Sequence, residues 1–168
     1  MNKRKNPRKI IITAAAVTAV AAAAFIFLLA GHGRLVLLNA DTGEKYASYP
    51  LDPGHGFSIT FIHSVNQYPL TDFYEIKEGG IWCEKTIYSN FGAGVQTELN
   101  EGETLSYGED GSIIVSGINK RLDNLIYIVG TVSDHTLVID GGEEISLRGL
   151  CGRNAKVRFK WEPYLPLP

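Results

Sequence analysis

The densest run of chemically versatile side chains is His63-Ser64-Val65-Asn66-Gln67, followed closely by Pro69, Asp72, Tyr74 and Glu75. An imidazole, a hydroxyl, an amide and two carboxylates gathered where one strand ends and the next begins form a rim that a rigid scaffold can present to a ligand or partner. A plainer role suits them too: His63 and Ser64 bond turn backbone and Asp72 caps the turn. A hydrolase would need a nucleophile, a base within hydrogen-bond reach and an orienting third group. Adjacent residues on a continuing strand point to opposite faces, so His63 and Ser64 make a poor dyad. Neither Gly-x-Ser-x-Gly nor His-Glu-x-x-His occurs. The pattern favours binding over catalysis, and it implies no cofactor.

A metal reading draws on His63, Asp72, Glu75 and His135, whose nitrogen and oxygen donors suit zinc or a related divalent ion. Their spacing across a hairpin is unspecific, and His135 beside Asp134 also reads as a turn residue. Phe91-Gly92-Ala93-Gly94-Val95 is the second distinctive string. Consecutive amides around Gly92 and Gly94 can form an anion-binding nest, although a tight connection or bulge explains the glycines equally simply. It is no dinucleotide fingerprint, which requires a following helix.

These residues need a scaffold, and the apolar pattern describes one. Short strand-length runs alternate with turn signals, and no long window is periodic at helical spacing without Gly or Pro. Expected strands are 34–39 and 45–49 about Asp41-Thr42-Gly43, then 56–63, and then 71–77 and 81–89 about Glu78-Gly79-Gly80. Strands 105–107 and 112–116 follow about Asp110-Gly111, where a type I′ turn is expected. The run 125–132 reads as a strand buried on both faces. Strands 135–140 and 143–147 meet at Gly141-Gly142. Strand 155–161 ends the series, with Lys156, Arg158 and Lys160 on a charged face suited to blunting an exposed sheet edge. The fold expected is all-β, a single antiparallel β-sandwich or small barrel-like domain. The Pro-rich tail, 163–168, reads as an extended cap or a loose end.

Ahead of that domain lies a different chemistry. Residues 1–9 carry Lys3, Arg4, Lys5, Arg8 and Lys9, and residues 10–30 are apolar apart from Thr13 and Thr18. Roughly 20 such residues span a bilayer as a helix. The cationic excess before the segment sets an N-in, C-out topology at the cell membrane, with the C-terminal domain extracytoplasmic. A cleaved signal peptide ending near Leu28-Leu29-Ala30 is the competing reading. Eleven of the 16 Lys and Arg and all 18 acidic residues follow Gly31, so the exported part, 31–162 and its tail, carries a net charge of −7. That balance gives no footprint for nucleic acid and argues against docking on anionic lipid head groups. In an exported domain Cys83 and Cys151 have a possible disulfide as one reading and two buried thiols as the other.

Taken together, Phe61-Ile62-His63-Ser64-Val65, Pro69, Asp72, Tyr74 and Phe91-Gly92-Ala93-Gly94 resemble the domain of unknown function 1850 family, over roughly Leu35 to Phe159. The resemblance implies a small exported protein of the kind often encoded beside TAXI-type tripartite ATP-independent (TRAP) transporters. Asn66 and Asp72 stand where that family pattern leads one to expect glutamates. The expected function is therefore a membrane-anchored accessory protein presenting the His63, Ser64, Asp72 and Tyr74 rim to a transporter permease or solute-binding protein. The alternative is an extracytoplasmic small-molecule or metal-binding sensor domain.

Overall fold

The computed structural model describes residues 20, 21, 24, 31–64, 67–89 and 98–165. Local turn chemistry sets up its first hairpin. Strand β1 (Gly33–Asn39) ends at Asn39, whose Oδ1 accepts the N–H groups of Asp41 (2.9 Å) and Thr42 (3.0 Å). Gly43 then takes φ +77°, which an L side chain resists, and the chain returns as β2 (Lys45–Pro50). β3 (Gly56–Ile62) and β4 (Pro69–Lys77) form the second hairpin, and β4 turns at Glu78 and Gly79, both at positive φ, into β5 (Gly80–Tyr88).

β6 (Thr104–Tyr107), β7 (Ile113–Leu122), β8 (Leu125–Ile128), β9 (His135–Ile139) and β10 (Glu144–Ser146) follow, then a short helix α1 (Leu147–Cys151) and β11 (Lys156–Pro163). The strands make two sheets, β2-β1-β11-β8 and β10-β9-β3-β4-β5-β7-β6, and all pairings are antiparallel. The all-β antiparallel class expected from the alternation therefore holds. The sheets share one apolar core, with Leu35, Leu37, Val157 and Phe159 from the smaller and Phe57, Ile59, Tyr74, Ile76 and Leu137 from the larger. Phe57 stacks on Phe159 across the gap at 5.7 Å between centroids.

The structure corrects the sequence at several places. The run 125–132 is not one doubly buried strand: β8 stops at Ile128 on a sheet edge, and Val132 is 92% exposed in the following loop. Gly130 lets the loop after β8 turn tightly, because a Cβ there would strike the Ser133 carbonyl. β11 is no edge strand; it lies between β1 and β8, and its charged side chains face away from the core. Residues 147–151 are helical, with Ser146 as N-cap accepting the Gly149 N–H at 2.8 Å. β7 runs six residues beyond Ser116 to Leu122, because Gly117 (φ +76°) absorbs an irregularity in pairing and the strand resumes. The Asp110-Gly111 hairpin forms through the longer connection 108–112 with Gly111 alone at positive φ, so the turn is not type I′.

Cys83 and Cys151 are free thiols. Cys83 stands on β5 opposite Tyr74 in the larger sheet, while α1, which ends in Cys151, packs on β2 of the smaller sheet as well as on β9 and β10. Burial pushes both thiols up, to about 11. Of the apolar segment 10–30, only Val20, Ala21 and Ala24 are described, each helical, so the anchor lies outside the described residues. No helix among the described residues is long and apolar enough to cross a membrane. At the other end, Tyr164 donates its N–H to the His32 carbonyl at 3.0 Å, and residues 166–168 lie outside the description.

Candidate functional site

One end of the β3–β9 pair opens into a cleft of about 570 Å³, lined by Phe61 and Ile62 at the end of β3, by His63, Ser64 and Gln67 from the β3–β4 connection, and by 130–133 and His135 from the segment entering β9. The β3–β4 connection closes on itself. His63 donates its N–H to the Tyr68 carbonyl (2.9 Å), Gln67 donates its N–H to the His63 carbonyl (2.9 Å), and the Gln67 side-chain amide reaches the Ser64 carbonyl (2.5 Å). Because β3 ends at Ile62, strand alternation does not separate His63 from Ser64, and both line the same cleft.

The opposite wall is held by Asp134. Its carboxylate accepts the His135 N–H (2.7 Å), the Arg148 N–H (2.9 Å) and the Ser146 hydroxyl, which ties the 130–134 loop to the start of α1. Burial alone would raise the Asp134 pKa, but these donors and the nearby Arg148 charge hold it below its ordinary value. Arg148 also reaches the Gly130 carbonyl at 3.2 Å. His135 is buried at the start of β9, not exposed in a turn. Its ring stacks on Phe61 at 5.1 Å and 9°, and meets Tyr127 edge-on at 5.9 Å. Burial lowers its pKa, and Nδ1 accepts the Gly130 N–H (3.2 Å), which puts the neutral ring's proton on Nε2.

Behind this wall, between the sheets, lies a chain of hydroxyls ending on one carboxylate. Tyr127 on β8 donates to Asp72 Oδ2 at 2.5 Å, and Thr86 on β5 donates to Asp72 Oδ1 at 2.7 Å. The Tyr74 hydroxyl lies 2.5 Å from that of Tyr127. Tyr127 has spent its single proton on Asp72, so Tyr74 must be the donor and Tyr127 the acceptor. Burial, reinforced by the Asp72 charge, raises both phenols far above their ordinary range. The chain is a proton-ordered strut that joins the smaller sheet, through β8, to the larger, through β4 and β5.

The residues expected on one rim thus separate. His63 and Ser64 reach the cleft, whereas Asp72 and Tyr74 point between the sheets. Glu75, one residue on from Tyr74, lies on the opposite face of β4 and does not join them. His63, Asp72, Glu75 and His135 accordingly do not assemble as a ligand set, and no group of three His, Cys, Asp or Glu side chains among the described residues is placed to hold a metal ion. Asn66, Gly92 and Gly94 lie outside the described residues. The sequence reading missed Tyr127 and Thr86 as partners of Asp72. It read Tyr127 as part of an apolar run, and the only available signal was a hydroxyl at a position facing the core.

Comparison with known families adds one match. Residues 57–147 fit the model of the domain of unknown function DUF1850. The chain belongs to the DUF1850 family. The match is narrower than the resemblance from Leu35 to Phe159, yet it takes in the larger sheet almost whole, together with β8, the cleft and the Asp72 strut. β1, β2 and β11 fall outside it. No curated protein and no solved structure matches this DUF1850 chain.

Proposed function

We propose that this DUF1850 protein is a membrane-tethered, extracytoplasmic, non-enzymatic accessory protein of a TAXI-type TRAP transporter, and that its recognition element is the cleft between His63-Ser64 and the 130–135 segment. The observation that carries the reading is how the carboxylates nearest the cleft are used. Both oxygens of Asp72 and both of Asp134 already accept hydrogen bonds that hold the walls in place. Such groups rigidify a recognition surface and are poorly placed to shuttle protons at it. The basic tail and apolar segment support the tether, and the genomic setting implied by the family supports the transporter.

The test is a pull-down of the full-length chain from detergent under conditions that keep the permease intact. A Thr131→Trp, His63→Ala variant, which alters the cleft and spares the strut, runs beside it. Transporter subunits held by the first and lost by a still-folded second are the expected result. Recovery of neither permease nor solute-binding protein with the wild type overturns the reading.

A second reading, a small-molecule sensor, is favoured by the cleft's size and lining. Its volume falls in the range of roughly 300–1,000 Å³ common for small-molecule sites. Among the described residues the lining offers imidazole, hydroxyl, amide and backbone groups without Lys, Arg, Asp or Glu, which suits an uncharged polar ligand, since a buried charge would go unpaired. Thermal shift across a panel of uncharged polar solutes and organic acids separates the two, because a ligand at a hundredfold excess over Kd stabilises by about 2.7 kcal/mol. A flat response to the whole panel eliminates the sensor.

A further inference from the structure

The outer face of the smaller sheet is predominantly cationic. Residues 34, 36 and 38 of β1 alternate with the core positions Leu35 and Leu37, so they face outward, and register carries the same face across the sheet. Val36 stands opposite Lys160 and Ser48; Leu38 stands opposite Arg158 and Lys45; Arg158 and Lys156 stand opposite Ile126 and Ile128. The strands therefore present Arg34, Lys45, Lys156, Arg158 and Lys160 outward. Glu162 pairs with Arg34 (3.2 Å) and Lys160 (3.0 Å), and Asp41 in the β1–β2 turn pairs with Lys156 (3.0 Å), so five cations meet two acids and the face keeps a cationic excess. This cationic surface belongs to a domain whose net charge is −7, so the balancing acids lie elsewhere. Of the aliphatic side chains between the cations, Val36 is buried at 3% exposure, while Ile126 and Ile128 on the edge strand β8 are 36% and 56% exposed.

Position gives the face its partner. The apolar segment ends at Ala30 and β1 begins at Gly33, so only Gly31 and His32 intervene. The three Cα-to-Cα steps from Ala30 to Gly33 reach at most about 11 Å, comparable to the roughly 8–10 Å over which salt screens charge. Gly31 at φ +83° permits a sharp bend between segment and strand. We propose that the outer face of the β2-β1-β11-β8 sheet lies on anionic lipid headgroups beside the tether, its cations on phosphates and Ile126 and Ile128 at the interface. The cleft, formed by the other sheet and the loop after β8, is then held at a fixed height above the bilayer. The inference rests on the tether reading of the proposed function, and it departs from the expectation that a net charge of −7 disfavours anionic lipid, because that charge is not spread evenly over the faces.

The test uses the full chain in vesicles of phosphatidylcholine alone and of phosphatidylcholine with phosphatidylglycerol, reading backbone amide exchange in the edge strands β2 and β8. Flotation with pure phosphatidylcholine vesicles checks the tether separately. Docking is expected to slow exchange in β2 and β8 with phosphatidylglycerol only, and high salt should reverse it. Replacing Lys156, Arg158 and Lys160 by Gln should weaken docking roughly a hundredfold, at about fivefold per cation. The basic N-terminal tail is common to both chains and cancels. A Lys45→Gln, Lys160→Gln pair, at exposed positions, serves if the triple variant melts early. A chain that floats yet exchanges identically on both lipids overturns the docking and leaves the tether standing. A chain that fails to float on phosphatidylcholine removes the tether instead, and slowed exchange on phosphatidylglycerol would then still report the face.

Discussion

The two ends of the β3–β9 strand pair each set a histidine beside an aspartate, and the surroundings give the two histidines opposite properties. At the cleft end, His135 is buried under Phe61 and Tyr127, and desolvation lowers its pKa although Asp134 is adjacent. At the far end, His55 lies in solvent with Nδ1 2.8 Å from Asp140, and that hydrogen bond raises its pKa. The same pair of residue types thus favours a neutral ring in one place and a charged ring in the other. Burial, more than the neighbouring carboxylate, sets the sign. At the cleft end the buried His135 ring favours its neutral form, while Asp134 and Arg148 carry their charges in the wall behind the lining.

The largest expected effect comes from the carboxylate that anchors the strut behind the cleft wall. Asp72→Ala leaves the Tyr127 and Thr86 hydroxyls between the sheets without their acceptor, and should cost about 3 kcal/mol, or roughly 10 °C in melting temperature. A loss no larger than that of a surface substitution would show that the strut bears little of the fold. Next in size are the two phenols. Tyr127→Phe removes a hydrogen bond to a carboxylate and strands the Tyr74 donor, costing about 2 kcal/mol, whereas Tyr74→Phe removes only the outer bond, about 1 kcal/mol. Because the Tyr74 proton has nowhere to go once Tyr127 is changed, the double variant should fall short of the sum. Strict additivity in a double-mutant cycle would contradict the proton order assigned here.

Much of the scaffold was legible because hairpins are local. Asp41-Thr42-Gly43 and Glu78-Gly79 carry their turn geometry in their own side chains and glycines, and period-two alternation placed Phe57, Ile59 and Phe61 on one face. What failed was non-local. Nothing near Tyr127 announces that it pairs with Asp72, 55 residues away, and nothing in the alternation of β11 says that β8 returns to cover its free edge. The candidate site was half legible for the same reason. His63 and Ser64 reach the cleft through a local turn, but its other wall comes from 130–135, and only long-range pairing of β9 with β3 brings it there.

The smaller effects test the sign of the comparison directly. An unfolded histidine takes up its proton near pH 6.5, but folded His135 does so only at lower pH. Between those values the unfolded chain binds more protons, so stability should fall as pH drops below about 6.5. Chemical denaturation across that range should show this slope in the wild type and lose it in His135→Phe, which keeps the stack on Phe61. For His55 the sign reverses: its folded pKa is raised, so its contribution is fully present below about pH 6.5 and is lost as pH rises through the folded value. Both partners are more than half exposed, so solvent screening keeps the effect small. His55→Ala should leave the acid-side slope of His135 intact and remove only a shallow decline on the neutral side. If His55→Ala abolished the acid-side slope instead, the exposed pair, and not the buried ring, would govern the acid response, and the contrast between the two ends would be reversed.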